Sequence, residues 1–100
     1  MALAMNRFHK KSLFFLDEPE AALSPTRQMS LMALMHDLVG KDCQFIIATH
    51  SPILTAYPDA EIVELSSDGA GVVPYRETGL YTITKGFLDN PDAILRHLIE

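Results

Sequence analysis

The chain has 100 residues, 48% of them hydrophobic and 21% charged, which suits one small globular domain and argues against disorder. A net charge of −5 argues against a free-standing nucleic-acid-binding surface, and we expect no direct nucleic-acid contact from this chain. The single cysteine, Cys43, excludes an internal disulfide and fits a reducing cytosol, and the apolar run 1–5 is too short to span a membrane. We therefore expect one cytoplasmic domain over residues 1–100, without membrane insertion.

The first half of the chain has the pattern of a β-α-β unit. Residues 1–8 suggest a short helix, and the apolar residues 12–16 predict a buried strand. Ser24 and Pro25 are a preferred N-cap and first helical residue, apolar residues then recur at about 3.6-residue spacing, and Gly40 marks the helix end. A second apolar strand is predicted over residues 44–49. Two strands joined by a helix are expected to be parallel, with a right-handed crossover.

The second half predicts smaller elements. Ser51-Pro52 repeats the cap-and-proline signal and predicts one helical turn over 53–56. Residues 61–65 predict a third strand, and residues 72–75 its hairpin partner. The pattern of residues 78–88 fits either a strand or a helix, while Asn90-Pro91 opens a final helix. The fold class is α/β.

Polar residues that suit phosphoryl transfer follow both strands of the β-α-β unit. Asp17 and Glu18 follow the first strand, and His50 follows the second. Mg²⁺ prefers oxygen ligands, so one carboxylate can hold its hydration shell while the next orients a water for attack on phosphorus. A right-handed crossover would place His50 near Glu18, where its imidazole can donate to a phosphate oxygen. The alternatives are a solvated acidic loop and a structural histidine.

Two strings of residues carry a family resemblance. Leu-Phe-Phe-Leu-Asp-Glu-Pro-Glu-Ala-Ala-Leu-Ser-Pro at 13–25, with Ala-Thr-His-Ser-Pro at 48–52, resembles the C-terminal part of an ABC-type ATPase, a P-loop, AAA-like protein. The first string resembles its Walker B motif and D-loop, and His50 its switch histidine. The resemblance implies a partial three-layer, P-loop NTPase-like parallel sheet with flanking helices and a small C-terminal β-hairpin and helices. It also implies Mg²⁺ and ATP as ligands.

The resemblance also implies roles for single residues. Asp17 would coordinate Mg²⁺ through water, Glu18 would polarise the attacking water, and His50 would contact the γ-phosphate. Ser24 would lie in a loop at the interface with a second ATPase subunit or a second copy of the chain. Many members of the superfamily carry Asp at the position of Ser24.

Two motifs of the superfamily are missing from the sequence. Neither the phosphate-binding string Gly-x-x-x-x-Gly-Lys-Ser/Thr nor a Ser-Gly-Gly signature occurs. We therefore expect the last portion of a longer ATPase, inactive alone. Its strand 44–49 would have an unpaired edge where the P-loop strand normally lies, which predicts self-association or a shift of strand 61–65 into that place. Two functional alternatives stay open: a non-enzymatic interaction module, and part of a DNA-repair or phage-defence ATPase.

Overall fold

The strands form one mixed sheet in the order β2-β3-β1-β4-β5. The structure is a computed structural model that describes residues 2–5 and 12–99. Within these residues the elements are β1 (Ala2–Met5), β2 (Ser12–Asp17), α1 (Pro25–Val39), β3 (Cys43–Ala48), β4 (Glu61–Ser66), β5 (Gly69–Val72), α2 (Gly79–Asp89) and α3 (Pro91–Ile99). Short 3-10 turns lie at Pro19–Ala22, Leu54–Ala56 and Tyr75–Glu77.

The β2-α1-β3 unit forms as the sequence predicts. β2 and β3 are parallel and in register from Ser12↔Cys43 to Asp17↔Ala48. Helix α1 begins after Ser24, whose Oγ accepts a hydrogen bond from the N–H of Arg27 at 3.2 Å. This cap satisfies one of the backbone donors that a helix N-terminus leaves without a partner. The parallel pairing places the C-terminal ends of β2 and β3 side by side.

The helix predicted over residues 1–8 is wrong where the structure describes this segment. Residues 2–5 form strand β1, and the rest of the predicted helix lies outside the described residues. A segment of four residues gains little from helix formation, because nucleating a helix is costly. As a strand paired on both sides, the same residues provide hydrogen-bond partners for the backbone groups of two neighbouring strands.

Strand β1 also corrects the expected gap in the sheet. It pairs antiparallel with both neighbours, with Leu3 opposite Ile47 of β3 and opposite Ile62 of β4. The edge of β3 that was expected to be unpaired is therefore covered by the chain's own residues, and β4 does not move next to β3. Since β1 opposes both neighbours, β4 runs in the same direction as β2 and β3, one strand position farther away.

Strand β2 is exposed rather than buried, so the predicted burial is wrong. It is the terminal strand of the sheet and has β3 as its only strand neighbour among the described residues. Phe15 is 70% exposed, while Leu13 and Phe14 are each 39% exposed. The ring of Phe14 stacks on that of Phe45 at a centroid distance of 5.0 Å, which anchors one face of the strand.

The core lies between α1 and the central strands. Met35 of α1 and Ile47 of β3 are fully buried, and Phe45 and Ile62 are nearly so. Tyr57 and Cys43 complete this cluster. Because α1 packs on the face that carries Phe45 and Ile47, it ties the loops at both of its ends to the sheet.

The C-terminal half settles the ambiguous segment as a helix. Thr78 caps α2 by accepting a hydrogen bond from the N–H of Tyr81 at 3.0 Å. Helix α3 begins at Pro91 as predicted, and Asn90 Oδ1 accepts from the N–H of Ala93 at 3.3 Å. The hairpin partner of β4 is Gly69–Val72, earlier than the predicted residues 72–75.

No helix among residues 12–99 combines the length and the apolar character needed to cross a membrane.

Candidate functional site

The candidate site lies where β2 and β3 end. The N–H of Glu18 continues the ladder by donating to the carbonyl of Ala48 at 2.7 Å. Glu18 then takes a left-handed backbone conformation, with φ of 47°. Residues other than glycine rarely adopt this conformation, and such backbone strain clusters at functional sites. The sharp turn ends β2 next to the loop that follows β3.

The structure brings Glu18 and His50 together, as the sequence predicts. The Nδ1 atom of His50 lies 3.0 Å from Oε1 of Glu18. Both side chains are exposed, His50 by 76% and Glu18 by 55%. Exposed pairs of this kind contribute little to stability. The pair is a candidate functional site because it lies at the C-terminal ends of two parallel strands, where open α/β sheets bind ligands.

Glu20 is a site residue that the sequence reasoning missed. Its Oε1 accepts a hydrogen bond from the hydroxyl of Thr49 at 2.6 Å, and its Oε2 accepts from the backbone N–H of His50 at 2.9 Å. Burial alone would raise the pKa of this carboxyl, but these hydrogen bonds together outweigh burial and hold the pKa below its ordinary value. The available signal was a second glutamate directly after the Glu-Pro pair.

Buried polar side chains extend this contact into the protein. Thr49 Oγ1 accepts from the N–H of Ser51 at 3.0 Å, and the Ser51 hydroxyl donates to Oε1 of Gln28. Ser51 Oγ also accepts from the N–H of Leu54 at 3.0 Å, at the start of the short turn that the sequence predicted one residue earlier. Thr49 and Ser51 are 1% and 3% exposed. The loop after β3 is therefore held from inside the fold.

Asp17 and Ser24 lie at the edges of this site. Asp17 ends β2, is exposed, and stands opposite Ala48 in the sheet. Ser24 is exposed, and its hydroxyl oxygen accepts the helix-capping hydrogen bond of α1. The structure thus explains the serine at this position by helix capping, and the interface role implied by the resemblance stays a prediction.

The donor atoms at the strand ends suit a divalent cation. Glu18, Glu20 and His50 each offer one ligand atom, and these atoms lie within 4.8 Å of one another. Mg²⁺ is held by one or two carboxylates and keeps several waters, so the exposed carboxylate of Glu18 fits a hydrated ion. Asp17, to which the resemblance assigns the metal, is not one of the three residues of this group. Glu20 is less available, because both of its oxygens already accept hydrogen bonds.

Comparison with known families gives one finding for this part of the chain. Residues 1–56 match the family model described as "AAA domain, putative AbiEii toxin, Type IV TA system". The match covers more than half of the chain and includes both strand ends that form the site. Neither the curated proteins nor the solved structures contain a match to the chain.

Proposed function

The chain belongs to the AAA-domain family of putative AbiEii toxins in type IV toxin–antitoxin systems, and from this premise we propose that it carries the metal- and water-handling half of an ABC-type ATP-hydrolysing site. In this proposal residues 1–100 form one domain, the C-terminal portion of a nucleotide-binding domain. The small α/β fold with one parallel strand pair supports the proposal, as does the family's nucleotide-binding character. The three-layer arrangement remains part of the proposal.

The observation that carries the proposal is the contact of 3.0 Å between His50 and Glu18 at neighbouring parallel strand ends. We assign Asp17 to hold Mg²⁺ through water, Glu18 to orient and deprotonate the attacking water, and His50 to contact the terminal phosphate. When bound, Mg²⁺ would neutralise charge on the phosphate oxygens. These roles place a general base beside a phosphate contact, which is the part of the reaction that activates and directs the attacking water.

The tautomer of His50 follows from this geometry. A carboxylate only accepts hydrogen bonds, so contact with Glu18 requires a proton on Nδ1 of His50. The second nitrogen, Nε2, then accepts in the neutral ring and donates only in the imidazolium form. Donation from Nε2 to a phosphate oxygen would therefore require a second proton on the His50 ring.

The 100-residue chain is expected to bind Mg-ATP weakly and to turn over no ATP. Its sequence lacks the Gly-rich string that cradles phosphates, and phosphoryl-transfer catalysis depends mostly on positioning and charge stabilisation. The phosphate-binding residues would have to come from outside this sequence, since a second copy of the chain lacks the same string. The loop around Ser24 would contact a second ATPase subunit or a second copy.

The assignment of Asp17 can be tested with Mn²⁺ as a paramagnetic substitute for Mg²⁺. In NMR spectra of the chain, substoichiometric Mn²⁺ should broaden the amide signals of Asp17 and Glu18 first. Asp17→Asn should remove this selectivity. Asp59→Asn is the matched control, since Asp59 is exposed and precedes β4, which begins at the opposite end of the sheet.

Mg-ATP added to the same samples should shift the ring signals of His50. Broadening that Asp17→Asn leaves unchanged would contradict the metal assignment. Nucleotide shifts confined to residues away from both strand ends, for example at the cavity of about 410 Å³ beside Tyr75 and Tyr81, would contradict the assignment of His50.

A second candidate function is a non-enzymatic interaction module. The observation that favours it is the terminal strand β2, where Phe15 is 70% exposed. Exposed apolar edge strands readily pair with another chain. Metal-independent association through β2, together with uniform Mn²⁺ broadening, would favour this module over the ATPase.

The family description bears on the third alternative. It names a putative toxin of a toxin–antitoxin system. We propose on this basis that the nucleotide site serves a defence-related ATPase and not a transporter.

A further inference from the structure

We propose that Glu20 is a positioning residue that holds the backbone of His50 so that the imidazole meets Glu18. This inference rests on the proposed function, because it assigns Glu20 a part in the geometry of the same site. Glu20 itself is not expected to touch nucleotide or metal.

The two carboxylate oxygens of Glu20 accept hydrogen bonds from consecutive residues of the loop after β3. One accepts from the side chain of Thr49 at 2.6 Å, and the other from the main-chain N–H of His50 at 2.9 Å. The second contact acts on the backbone from which the imidazole extends, and it leaves both ring nitrogens available. The Glu18 and Glu20 contacts of His50 are both hydrogen bonds to a carboxylate, but Glu20 is also bound by the buried hydroxyl of Thr49, so its two bonds are the stronger restraint on His50.

Glu20 is itself fixed by a closed ring of hydrogen bonds. Thr49 binds the N–H of Ser51, the Ser51 hydroxyl donates to Gln28, and the Gln28 amide donates to the carbonyl of Leu23 at 3.2 Å. The N–H of Leu23 returns to the backbone carbonyl of Glu20 at 2.9 Å. The ring therefore holds the backbone of Glu20 and the hydroxyl of Thr49 in place, while the carboxylate itself is held by its bonds to Thr49 and His50.

The direct contact between His50 and Glu18 is too exposed to set its own geometry. These side chains are 76% and 55% exposed, whereas Thr49 is 1% exposed. Solvent competes for exposed pairs, but it does not reach a buried hydroxyl. The hydrogen bonds from Thr49 and His50 to the partly buried Glu20 thus define the position of His50. The contact between His50 and Glu18 depends on these bonds.

Glu20→Gln tests this inference without nucleotide or metal. The variant removes the carboxylate charge and leaves one acceptor oxygen, so it can keep only one of the two present hydrogen bonds unless the Thr49 hydroxyl reverses to accept. Exchange of the His50 amide proton in ²H₂O should accelerate at least about tenfold. The ¹⁵N shifts of the His50 ring should move toward those of a free histidine as contact with Glu18 is lost. Glu77→Gln, at an exposed glutamate, is the matched control and should change neither reading.

A pH titration tests the hydrogen bond between Glu20 and the His50 amide, and the ring shifts of His50 distinguish a positioning role from a purely structural one. In the wild type, the His50 amide resonance should titrate with a midpoint below 4.5, because it reports protonation of Glu20. Glu20→Gln should abolish this titration. Thr49→Val should remove the hydrogen bond from the Thr49 hydroxyl to Glu20, and Thr49→Ser should restore it. This pair of variants tests the inference if Glu20→Gln does not fold.

The inference is overturned if the exchange and ring shifts of His50 are the same in wild type and in a folded Glu20→Gln or Thr49→Val variant. That outcome would leave the metal assignment of Asp17 intact. Conversely, failure of Mn²⁺ to select Asp17 would overturn the proposed function while the His50 amide still reported Glu20.

Discussion

Glu18 and Glu20 show how two identical side chains, two positions apart, can have very different surroundings. Glu18 has a left-handed backbone and an exposed carboxylate that meets a histidine ring. Glu20 is partly buried and accepts two hydrogen bonds from a neighbouring loop. Sequence reasoning identified Glu18 because it directly follows a strand. It could not identify Glu20, whose partners lie 29 and 30 residues away in the chain.

The lowered pKa of Glu20 predicts an acid-dependent loss of stability. A carboxyl whose pKa is lower in the folded state stabilises the fold above its unfolded pKa, and this contribution disappears as the pH falls below 4.5. Wild type should exceed Glu20→Gln by roughly 1 kcal/mol in free energy of unfolding at pH 7. Urea denaturation of both proteins at several pH values measures this difference. It should shrink below pH 4.5, and a difference that is constant down to pH 3 would contradict the prediction.

At the scale of elements, helix α1 was predictable because its signals are local. Ser24 caps it, Pro25 opens it, and its apolar residues recur with the helical period. The face that actually packs on the sheet is narrower than the periodicity alone suggests. Met35 is fully buried, while its neighbour Leu34 is 55% exposed. Only the contact with β3 distinguishes these two residues.

The packing of α1 on the sheet predicts a large difference between these neighbours. Met35→Ala should lower the free energy of unfolding by about 2–5 kcal/mol, because it removes buried contacts and leaves a cavity. Leu34→Ala should change it by less than about 0.5 kcal/mol. Guanidinium denaturation followed by circular dichroism compares the two variants. Equal losses would mean that α1 does not present Met35 to the core.

For the whole molecule, the terminal strand β2 is an exposed end of the sheet. The sequence predicted an open edge at β3, but β1 covers that edge and leaves β2 as a terminal strand. The local pattern of residues 12–16 was rightly interpreted as a strand and wrongly as a buried one. Whether a strand is buried depends on the elements that pack against it, and the local sequence pattern does not specify those elements.

This arrangement predicts that β2 mediates self-association. Phe15→Lys should reduce the apparent molecular mass in solution, because a charge on an edge strand opposes pairing with another chain. Leu65→Lys is the matched control, since Leu65 is 65% exposed on β4, which is not a terminal strand. Light scattering over a range of protein concentrations measures the effect. Equal effects of both substitutions would indicate nonspecific hydrophobic association and would contradict a specific role of β2.

The sequence by itself determined the parts of this protein that depend on neighbouring residues: the α1 cap, the two parallel strands, and the placement of Asp17, Glu18 and His50 after them. Short-range hydrogen bonds and periodic burial encode such features directly. Only the tertiary structure decided that β1 enters the sheet between β3 and β4, that β2 is exposed, and that Glu20 grips the loop of His50. Each of these depends on pairing between segments distant in the chain, where several partners satisfy the same local pattern and the free energy of the whole fold selects one.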